Sequence, residues 1–327
     1  MKNELVTVCV TTYNRKSKLP ITLKSILNQT YKNIELIIVD DYSNDGTKNL
    51  VESEILKMDK RIKYIRHNEN KGLAASRNTA IFNATGKYFS FCDDDDSWLP
   101  GFVEKFVDAA KNFNKQWCFC CGEIIKKNNL EIERIYNEPD ISLKNAILKG
   151  YVPPCAAQFY FTSTLKEVNG YNEKIRSGVD HDLWLTLSYK NVWLHFLPQS
   201  LSLPNTGDDY VKMTNNFENR NKYINESLLI WKKNFIYEYG EEVYKNFCLR
   251  YKYEIFKSFL IKYINNKNFI KIFKIFLYRN NIFFTPILIK QVIIWFFKKK
   301  SYPIIIKPDF KIDRVNFLIK LKNIFIE

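Results

Sequence analysis

Glycine and histidine are scarce in this chain, which has 10 glycines and 3 histidines among its 327 residues. It contains neither G-x-G-x-x-G nor G-x-x-x-x-G-K-[ST], so the common dinucleotide-binding and P-loop sites are not indicated. The seven cysteines form no repeated C-x₂-C pair, and with so few histidines we expect no zinc site. The odd number of cysteines is typical of proteins in a reducing cytoplasm.

The chain also lacks an apolar run long enough to cross a membrane. Its most apolar stretch, residues 282–297, is 16 residues long and is interrupted by Pro286, Lys290 and Gln291. A spanning helix needs about 20 apolar residues. Residues 1–4 lead directly into a predicted strand, so we expect no signal peptide and a cytoplasmic protein.

Basic residues are concentrated near the C-terminal end. Residues 221–327 hold 21 Lys and Arg against 8 Asp and Glu, whereas residues 1–220 hold 29 against 27. Lysines recur among large apolar residues at helical spacing in 268–278, and Lys298–Lys300 follow the apolar stretch. This pattern predicts amphipathic helices at an anionic membrane surface, although solvated lysines on helices packed against the core would look the same. Without a recognisable nucleic-acid-binding motif, we expect no nucleic acid partner.

The N-terminal part alternates between apolar strands and helical patterns. Strands are predicted at 5–12, 34–39, 62–65 and 88–92, and a helical pattern separates each from the next. Such alternation predicts an α/β fold, with a parallel sheet covered by helices on both faces. In open sheets of this kind, ligands bind beyond the carboxyl ends of the strands.

Polar clusters follow three of these strands. They are residues 11–15, residues 40–45 and the four consecutive carboxylates of 93–96. On an extended chain, Asp93 and Asp95 point the same way. They can therefore bind one Mg²⁺ or Mn²⁺ together with the phosphates of a substrate. An acidic surface turn, or a helix N-terminus that favours acids, is the alternative interpretation.

The chain resembles the family 2 inverting glycosyltransferases, which have the GT-A fold and bind nucleotide-diphosphate sugars. The resemblance extends over residues 3–200 and is carried by five motifs in order: Val8–Arg15, Val39–Ser43, Asn70–Gly72 with Ser76–Asn78, Asp93–Asp95 and Gly178–Trp184.

The resemblance also implies a domain organisation. We expect a GT-A domain over residues 1–215, in which 1–100 bind the nucleotide sugar and 101–215 shape the acceptor side. A basic, aromatic-rich and mainly helical region would follow at 216–327. The GT-A domain would contain a Rossmann-like, mostly parallel central sheet.

Residues of the nucleotide site follow from the same resemblance. Thr11 and Tyr13 would line the nucleotide pocket, with Tyr13 against the base. Asp41 would accept a hydrogen bond from uracil N3–H, and Asp40 would support that turn, although both fit ordinary turn chemistry as well. The remaining donor-site candidates are Arg15, Lys71, Arg77, Asp93 and Asp94. For Arg77, a plain helix-surface position is the alternative.

The acidic run would also hold the metal. By resemblance, Asp95 is the direct ligand of Mn²⁺ or Mg²⁺, and Asp93 contacts the ribose or reaches the metal through water. Asp94 would contact the donor sugar. Asp96 and the residues up to Pro100 read as a helix entry, so we expect Asp96 to be a cap.

The catalytic base is expected in a second acidic segment. An inverting transfer needs one base on the acceptor hydroxyl, and Asp180 aligns with the family's catalytic carboxylate. Val179 replaces a glutamate that usually precedes it. Asp182 is the alternative base, and His181 is either a further base or a surface histidine. The apolar residues that follow predict a buried helix capped by acids.

The sequence thus predicts a metal-dependent enzyme that moves one sugar from a UDP-sugar to a hydroxyl of a glycan or glycolipid. The acceptor would belong to lipopolysaccharide or lipooligosaccharide, O-antigen or capsule assembly. A sugar-nucleotide nucleotidyltransferase is an alternative, but such enzymes usually carry a glycine-rich loop after the first strand, and residues 11–15 contain no glycine. A non-catalytic scaffold is a second alternative, against which the intact acids argue.

Overall fold

The computed structural model describes residues 3–127, 130–135, 139–149, 155–205 and 217–265. The segments 268–278, 282–297 and 298–300, which contribute to the membrane prediction, lie outside the described residues. The chain divides into two compact units, Met1–Tyr244 and Lys245–Glu327. No helix among the described residues is long and apolar enough to span a bilayer.

Ten strands of the described residues form one sheet. They are β1 (Val6–Thr12), β2 (Ile34–Asp40), β3 (Ile62–Arg66), β4 (Tyr88–Asp93), β5 (Ser97–Trp98), β6 (Trp117–Lys127), β7 (Leu130–Arg134), β8 (Ile141–Ser142), β9 (Gln158–Phe161) and β10 (Trp193–Leu203).

The α-helices of the described residues are short except for two near the C-terminal end. They are α1 (Leu19–Leu27), α2 (Thr47–Leu50), α3 (Leu56–Met58), α4 (Leu73–Asn83), α5 (Phe102–Ala110), α6 (Leu143–Lys149), α7 (Thr162–Glu167), α8 (Val179–Ser188), α9 (Phe217–Tyr239) and α10 (Glu241–Asn265). A π-helical turn, Val51–Ile55, joins α2 to α3, and a 3₁₀ turn, Cys155–Ala157, precedes β9.

The sheet order places the polar clusters on one edge. Strands β3, β2, β1 and β4 are neighbours in that order and pair in parallel. Thr12 lies beside Asp40 in the register of β1 with β2, and Thr11 lies beside Asp93 in the register of β1 with β4. Because these strands run the same way, their carboxyl ends meet. The predicted α/β fold and the shared edge of the three clusters are both confirmed.

Helices cover the sheet and bury its central strands. β2 is buried over its whole length, and β1 is buried at every position except Thr11, as expected for strands with both faces covered. An aromatic cluster extends this core: Trp98 stacks on Phe102 with ring centroids 3.9 Å apart, and Phe106 stacks on Phe159. Burying each such side chain contributes about 1.5–3 kcal/mol to the stability of the fold. This packing stabilises the part of the sheet that carries the polar clusters.

Two predicted helix caps are wrong. Asp96 is not the cap of a following helix, since Ser97 and Trp98 form β5 against β10, and α5 begins after Gly101 without a side-chain cap. The helix predicted near Asp180 is present as α8, but its N-cap is Gly178 rather than an acid. Gly178 adopts φ 78°, a left-handed conformation that glycine reaches at little cost.

Candidate active site

The loops after β1 and β2 are tied to each other. Asn14 adopts φ 54°, and its backbone N–H donates to Ser43 Oγ at 2.9 Å. In return the Asn44 N–H donates to Asn14 Oδ1 at 2.8 Å. The connected loops leave the rings of Tyr13 and Tyr42 exposed at the sheet edge. The Arg66 guanidinium lies over the Tyr42 ring, 4.8 Å from its centroid. An exposed aromatic surface such as that of Tyr13 is suited to contact a nucleotide base.

Asp40 is fully buried and holds the turn after β2. Its Oδ1 accepts the Ser43 N–H at 2.7 Å, and its Oδ2 accepts the Tyr64 hydroxyl at 2.7 Å. Burial and the neighbouring Asp40 carboxylate raise the pKa of Tyr64, which keeps this hydroxyl a donor. Arg66 Nε lies 3.4 Å from the same carboxylate. These contacts hold the turn after β2 in place, and a supporting role for Asp40 at a nucleotide site stays a prediction.

Asp41 is buried beside the N-terminus of α4. Its Oδ1 accepts the backbone N–H of Lys71 and its Oδ2 that of Gly72, both at 2.8 Å. A carboxylate is favoured at this position by the positive end of the helix dipole. Lys71 therefore contacts Asp41 through its main chain, while its side chain is exposed. Gly72 adopts φ 90°, so the motif needs glycine here.

The acidic run contains carboxylates in different environments. Asp93 at the end of β4 has a side chain that is 38% exposed, whereas Asp94 and Asp95 are nearly buried and pair with Arg15. Arg15 Nη1 lies 3.2 Å from Asp94 Oδ1 and 2.5 Å from Asp95 Oδ2. Asp96 accepts the backbone N–H of Asn205 at 2.8 Å, and so anchors the residue that follows β10 by two positions.

Burial raises the pKa of three of these carboxyls. The pKa of Asp94 rises to about 7, against the opposing effects of the Thr12 hydroxyl and Arg15. The pKa of Asp95 also rises because of burial, although Arg15 opposes the shift. For Asp96, burial and the Asp93 carboxylate raise the pKa to about 8. Burial therefore disfavours the charged form of all three carboxyls, and at Asp94 and Asp95 the Arg15 guanidinium opposes this effect.

Arg77 on α4 connects the acidic run to the second acidic segment. Its side chain is 2% exposed, its Nη2 donates to Asp93 Oδ1 at 3.0 Å, and its Nη1 donates to Asp180 Oδ1 at 2.7 Å. The rings of Phe91 and Tyr171 lie 5.3 and 5.4 Å from the guanidinium carbon. Burial alone would lower the Arg77 pKa, but Asp180 and other groups raise it well above its ordinary value. Arg77 is thus a buried cation, and the alternative of a plain helix-surface position for Arg77 is wrong.

The two candidate bases have different surroundings. Asp180 lies in the first turn of α8, and its side chain is 32% exposed beside Arg77. Asp182 is buried: its Oδ1 accepts the indole N–H of Trp231 at 2.7 Å, and its Oδ2 accepts the Asn172 N–H at 3.2 Å. Asp182 therefore joins α8 to α9, while Asp180 lies at the edge that holds Asp93. His181, between them, is half-buried.

The donor atoms at this edge fit a hard divalent cation. Among the described residues, no group of three or more His, Cys, Asp or Glu side chains could hold a metal by itself. Mg²⁺ and Mn²⁺ at nucleotide sites commonly need only one or two carboxylates, because phosphates and water supply the other ligands. The extended chain expected from Asp93 to Asp95 is wrong, because β4 ends at Asp93 and a turn follows, in which the Asp96 N–H donates to the Asp93 carbonyl at 3.0 Å. Asp93 offers accessible oxygen atoms, and Asp95 could add a second ligand if its contact with Arg15 rearranged.

Sequence reasoning missed two features of this edge. Arg77 was expected to hold donor oxygens, yet its buried guanidinium joins Asp93 to Asp180. His67 lies outside the five motifs, but its ring contacts Asp41 at 2.8 Å. A usable signal was present, since His67 follows β3 directly and β3 ends on the same edge. Thr11 is half-buried in β1 beside Asp93, and its contact with a nucleotide stays a prediction.

Comparison with known proteins identifies the family. The model of glycosyl transferase family 2 matches residues 7–167. The UDP-Glc:alpha-D-GlcNAc-diphosphoundecaprenol beta-1,3-glucosyltransferase WfaP of Escherichia coli is 32% identical, over 58% of this chain and 72% of its own length. An uncharacterized glycosyltransferase of Rickettsia conorii is 34% identical over 57% of this chain. The aligned part of the chain spans only 30% of that relative's length.

Solved structures share the fold. Staphylococcus aureus TarS 1–349 in complex with UDP-GlcNAc has a TM-score of 0.56 at 19% identity, covering 81% of this chain and 74% of its own. The mannosyltransferase PcManGT of Pyrobaculum calidifontis, in complex with GDP-Man and Mn²⁺, has a TM-score of 0.55 at 17% identity, covering 77% and 70%. With its ordered motifs, its parallel-sheet edge and these matches, the chain belongs to glycosyl transferase family 2 and has the GT-A fold.

Proposed function

We propose that the protein transfers a single sugar from a UDP-sugar to a hydroxyl of a glycan or glycolipid acceptor, with inversion at the anomeric carbon. One observation carries the proposal. Arg77 holds Asp93, on the side of the predicted donor site, and Asp180, the predicted base, in one hydrogen-bonded group. A donor bound near Asp93 would therefore lie close to the proposed base.

Asp180 supplies the base in this proposal. As the acceptor oxygen forms its bond to the anomeric carbon, the bond from that carbon to the diphosphate oxygen breaks. The hydroxyl proton passes to Asp180, whose partly exposed carboxylate can reach an acceptor. Arg77 fixes the orientation of this carboxylate. Asp182 is occupied by Trp231 and Asn172, which favours Asp180 over Asp182.

In this proposal the donor binds at the carboxyl edge of the parallel strands. Thr11, Tyr13 and Asp41 would contact the nucleoside, with Asp40 supporting them. A divalent cation held by Asp93 and Asp95 would neutralise charge on the departing diphosphate. The partly exposed carboxylate of Asp93 at the sheet edge supports a cation at this position. The donor named for the Escherichia coli relative is UDP-Glc, and Mn²⁺ is bound in the mannosyltransferase structure.

Lys71 and Arg15 are the further cations proposed for the donor. The Lys71 side chain is exposed beside Asp41, where it could reach a phosphate. Arg15 contacts Asp94 and Asp95. Binding of the donor and the metal would therefore change the contacts between Arg15 and these two carboxylates. Asp94 itself would contact the donor sugar.

The acceptor is proposed to be linked to a lipid. The relative from Escherichia coli is named for a diphosphoundecaprenol-linked acceptor, and a Campylobacter jejuni relative that is 30% identical is named for a PP-undecaprenol acceptor. Such acceptors are consistent with assembly of O-antigen, capsule or lipooligosaccharide at the inner face of the cytoplasmic membrane.

The helical region proposed for residues 216–327 would then contact the membrane. On α9, Leu229, Lys233 and Tyr237 share one helix face because they are four residues apart, and all three are exposed. The opposite face contacts α8 and the residues just before it, since the Trp231 indole N–H donates to Asp182 at 2.7 Å and the Ser227 hydroxyl donates to the Ser177 carbonyl at 2.8 Å. An apolar face with lysines favours anionic lipid.

Release of UDP tests the proposed function. The full-length protein is incubated with a panel of UDP-sugars, with and without Mn²⁺, and with lipid-diphosphate-linked sugars as acceptors. Metal-dependent UDP release that increases with an acceptor and stops in Asp180→Asn is the expected result. Release of pyrophosphate from a nucleoside triphosphate and a sugar phosphate would instead identify a nucleotidyltransferase. Nucleotide binding without turnover of any donor would favour the non-catalytic scaffold.

A further inference from the structure

His67 is buried between the predicted nucleotide site and helix α4. Its Nδ1 lies 2.8 Å from Asp41 Oδ1, and its Nε2 lies 2.9 Å from the Thr79 hydroxyl. Its backbone N–H donates to the Asp40 carbonyl at 2.9 Å. Because an ionised carboxylate can only accept hydrogen bonds, the Nδ1 atom must carry the proton that it shares with Asp41. The ring is therefore a fixed donor to Asp41.

Three donors occupy the Asp41 carboxylate among the described residues. Oδ1 accepts from His67 Nδ1 and from the Lys71 backbone N–H, while Oδ2 accepts from the Gly72 backbone N–H. A carboxylate has about four acceptor positions, two on each oxygen. Oδ1 is thus filled, and one position remains on Oδ2. Without His67, each oxygen would have one position left.

The number of remaining positions decides which base can be bound. Uracil presents a single N–H, at N3, and needs one acceptor. Guanine presents two adjacent donors, at N1 and N2, which pair with a carboxylate through both of its oxygens. Cytosine presents an unprotonated N3, which a carboxylate repels. We infer that His67 restricts Asp41 to one acceptor and thereby makes the site select uracil over guanine.

This role would make His67 a specificity-determining residue that acts through Asp41 without touching the nucleotide. It rests on the proposed function, in which Asp41 contacts the base. It also predicts an asymmetry between the competing bases. Loss of the His67 donor should admit guanine, because a second acceptor becomes available. Cytosine should stay excluded, because its N3 still faces a carboxylate.

Calorimetric binding of UDP, GDP and CDP to the full-length protein with Mn²⁺ tests the inference. His67→Leu fills the space without a donor, and the ratio of UDP to GDP affinity should fall about tenfold, the effect of one hydrogen bond to a charged group. His67→Asn places an amide N–H near the position of Nδ1 and should keep the ratio within about threefold of wild type. Thr79→Val is the matched control, since it removes the contact at Nε2 and leaves Nδ1–H in place.

Two results would overturn the inference, and they are distinguishable. If wild type prefers UDP and a folded His67→Leu protein keeps the same UDP to GDP ratio, the inference fails while the proposed function stands. If wild type binds none of the three nucleotides, the proposed function fails and the inference fails with it. Circular dichroism establishes that each variant is folded, and His67→Met replaces His67→Leu if the latter does not fold.

Discussion

Arg77 Nη1 lies 2.7 Å from Asp180 Oδ1, although the two residues are 103 positions apart in the chain. The contact joins the helix that starts beside Asp41 to the helix that carries the proposed base. The same guanidinium reaches Asp93, so one buried cation orients carboxylates from two motifs. Three of the five motifs that carry the family resemblance are thus in contact through Arg77, and in the proposed function Arg77 positions Asp93 and Asp180.

Replacing Arg77 with lysine should therefore impair turnover more than donor binding. A lysine keeps the charge, but its single ammonium cannot present two parallel N–H groups to Asp93 and Asp180. We expect kcat to fall about 100-fold, or about 2.7 kcal/mol of transition-state stabilisation, with a much smaller change in donor KM. Steady-state kinetics with a UDP-sugar and a lipid-linked acceptor measures both.

Arg61→Lys provides the control for this substitution. Arg61 also binds a carboxylate with two nitrogens, Nε and Nη2 on Asp59, but it lies at the opposite end of β3 from the site. Its replacement should leave kcat unchanged. Wild-type turnover in Arg77→Lys would contradict the positioning role of Arg77.

The paired variants Asp180→Asn and Asp182→Asn separate the two candidate bases. Asp180→Asn should lower kcat about 10²–10⁴-fold, the range for loss of a general base, and leave UDP affinity near wild type. Asp182→Asn should retain turnover and lower the melting temperature, because it weakens the contacts of Asp182 with Trp231 and Asn172. Kinetics, UDP calorimetry and thermal unfolding are measured on both. The opposite pattern of kcat loss would assign the base to Asp182.

The strand ends could be predicted from the sequence, but most of the side-chain contacts at the site could not, and the difference has physical causes. Near-continuous β-branched strands such as Val6–Thr12 are readable because both of their faces are buried. Asp180 and Asp182 are two positions apart and so point to different sides of a helix. Which of them faces Arg77 depends on packing against Trp231, 49 residues away from Asp182 in the chain. Strand β5 has two residues, too few to show an alternating pattern. The sequence therefore predicts a helix entry at Asp96, where the structure has a short strand.

Metal-dependent binding of UDP should depend on Asp93 and Asp95. We expect Asp95→Ala and Asp93→Asn each to lose about tenfold or more of the UDP affinity gained with Mn²⁺, and wild type in EDTA should bind UDP as weakly as the variants. Asp108→Asn is the matched control, because Asp108 is an exposed acid that pairs with Lys111. Calorimetry with and without Mn²⁺ gives the affinities. Unchanged affinity of both variants in the presence of metal would exclude these carboxylates as the metal site.

Glu35 should stabilise the fold in a pH-dependent manner. Burial alone would raise its pKa, but hydrogen bonds from Lys63, Thr7 and Thr85 lower it from 4.5 to about 2. Between these values the unfolded chain binds more protons than the folded one, so the stabilisation is complete above about pH 5 and declines as the pH falls toward 2. Glu35→Gln should lower the free energy of unfolding by about 2 kcal/mol at pH 7.

Urea unfolding at pH 7, 4 and 3 measures this effect. The difference between wild type and Glu35→Gln should shrink by more than half from pH 7 to pH 3. Glu52→Gln is the control, because Glu52 is half-exposed and lies 3.9 Å from Lys48, so its removal should cost about 0.5 kcal/mol or less at each pH. A Glu35→Gln difference that stays constant with pH would show that the lowered pKa does not contribute.

The exposed face of α9 gives a test of membrane contact within the described residues. Leu229 is 71% exposed and Tyr237 is 87% exposed, and lysines lie beside them on the helix. The doubly substituted variant Leu229→Glu with Tyr237→Glu adds two negative charges and removes the apolar contact. Both changes oppose binding to anionic lipid, where each nearby lysine or arginine contributes about 1 kcal/mol. In vesicle flotation, wild type should bind phosphatidylglycerol vesicles more than phosphatidylcholine vesicles, and the double variant should lose at least about tenfold of that binding.

Met58→Glu is the control for this test, since Met58 is an equally exposed apolar residue, 70% accessible, on α3 in the nucleotide half. It should float as wild type does, which separates the contribution of α9 from a general effect of surface charge. UDP release from soluble donor, measured without vesicles, should be unchanged in the double variant because α9 holds α8 through its opposite face. Equal flotation of the double variant and wild type would show that this face of α9 does not contact the membrane. Failure of wild type to bind anionic vesicles would contradict the membrane proposal itself.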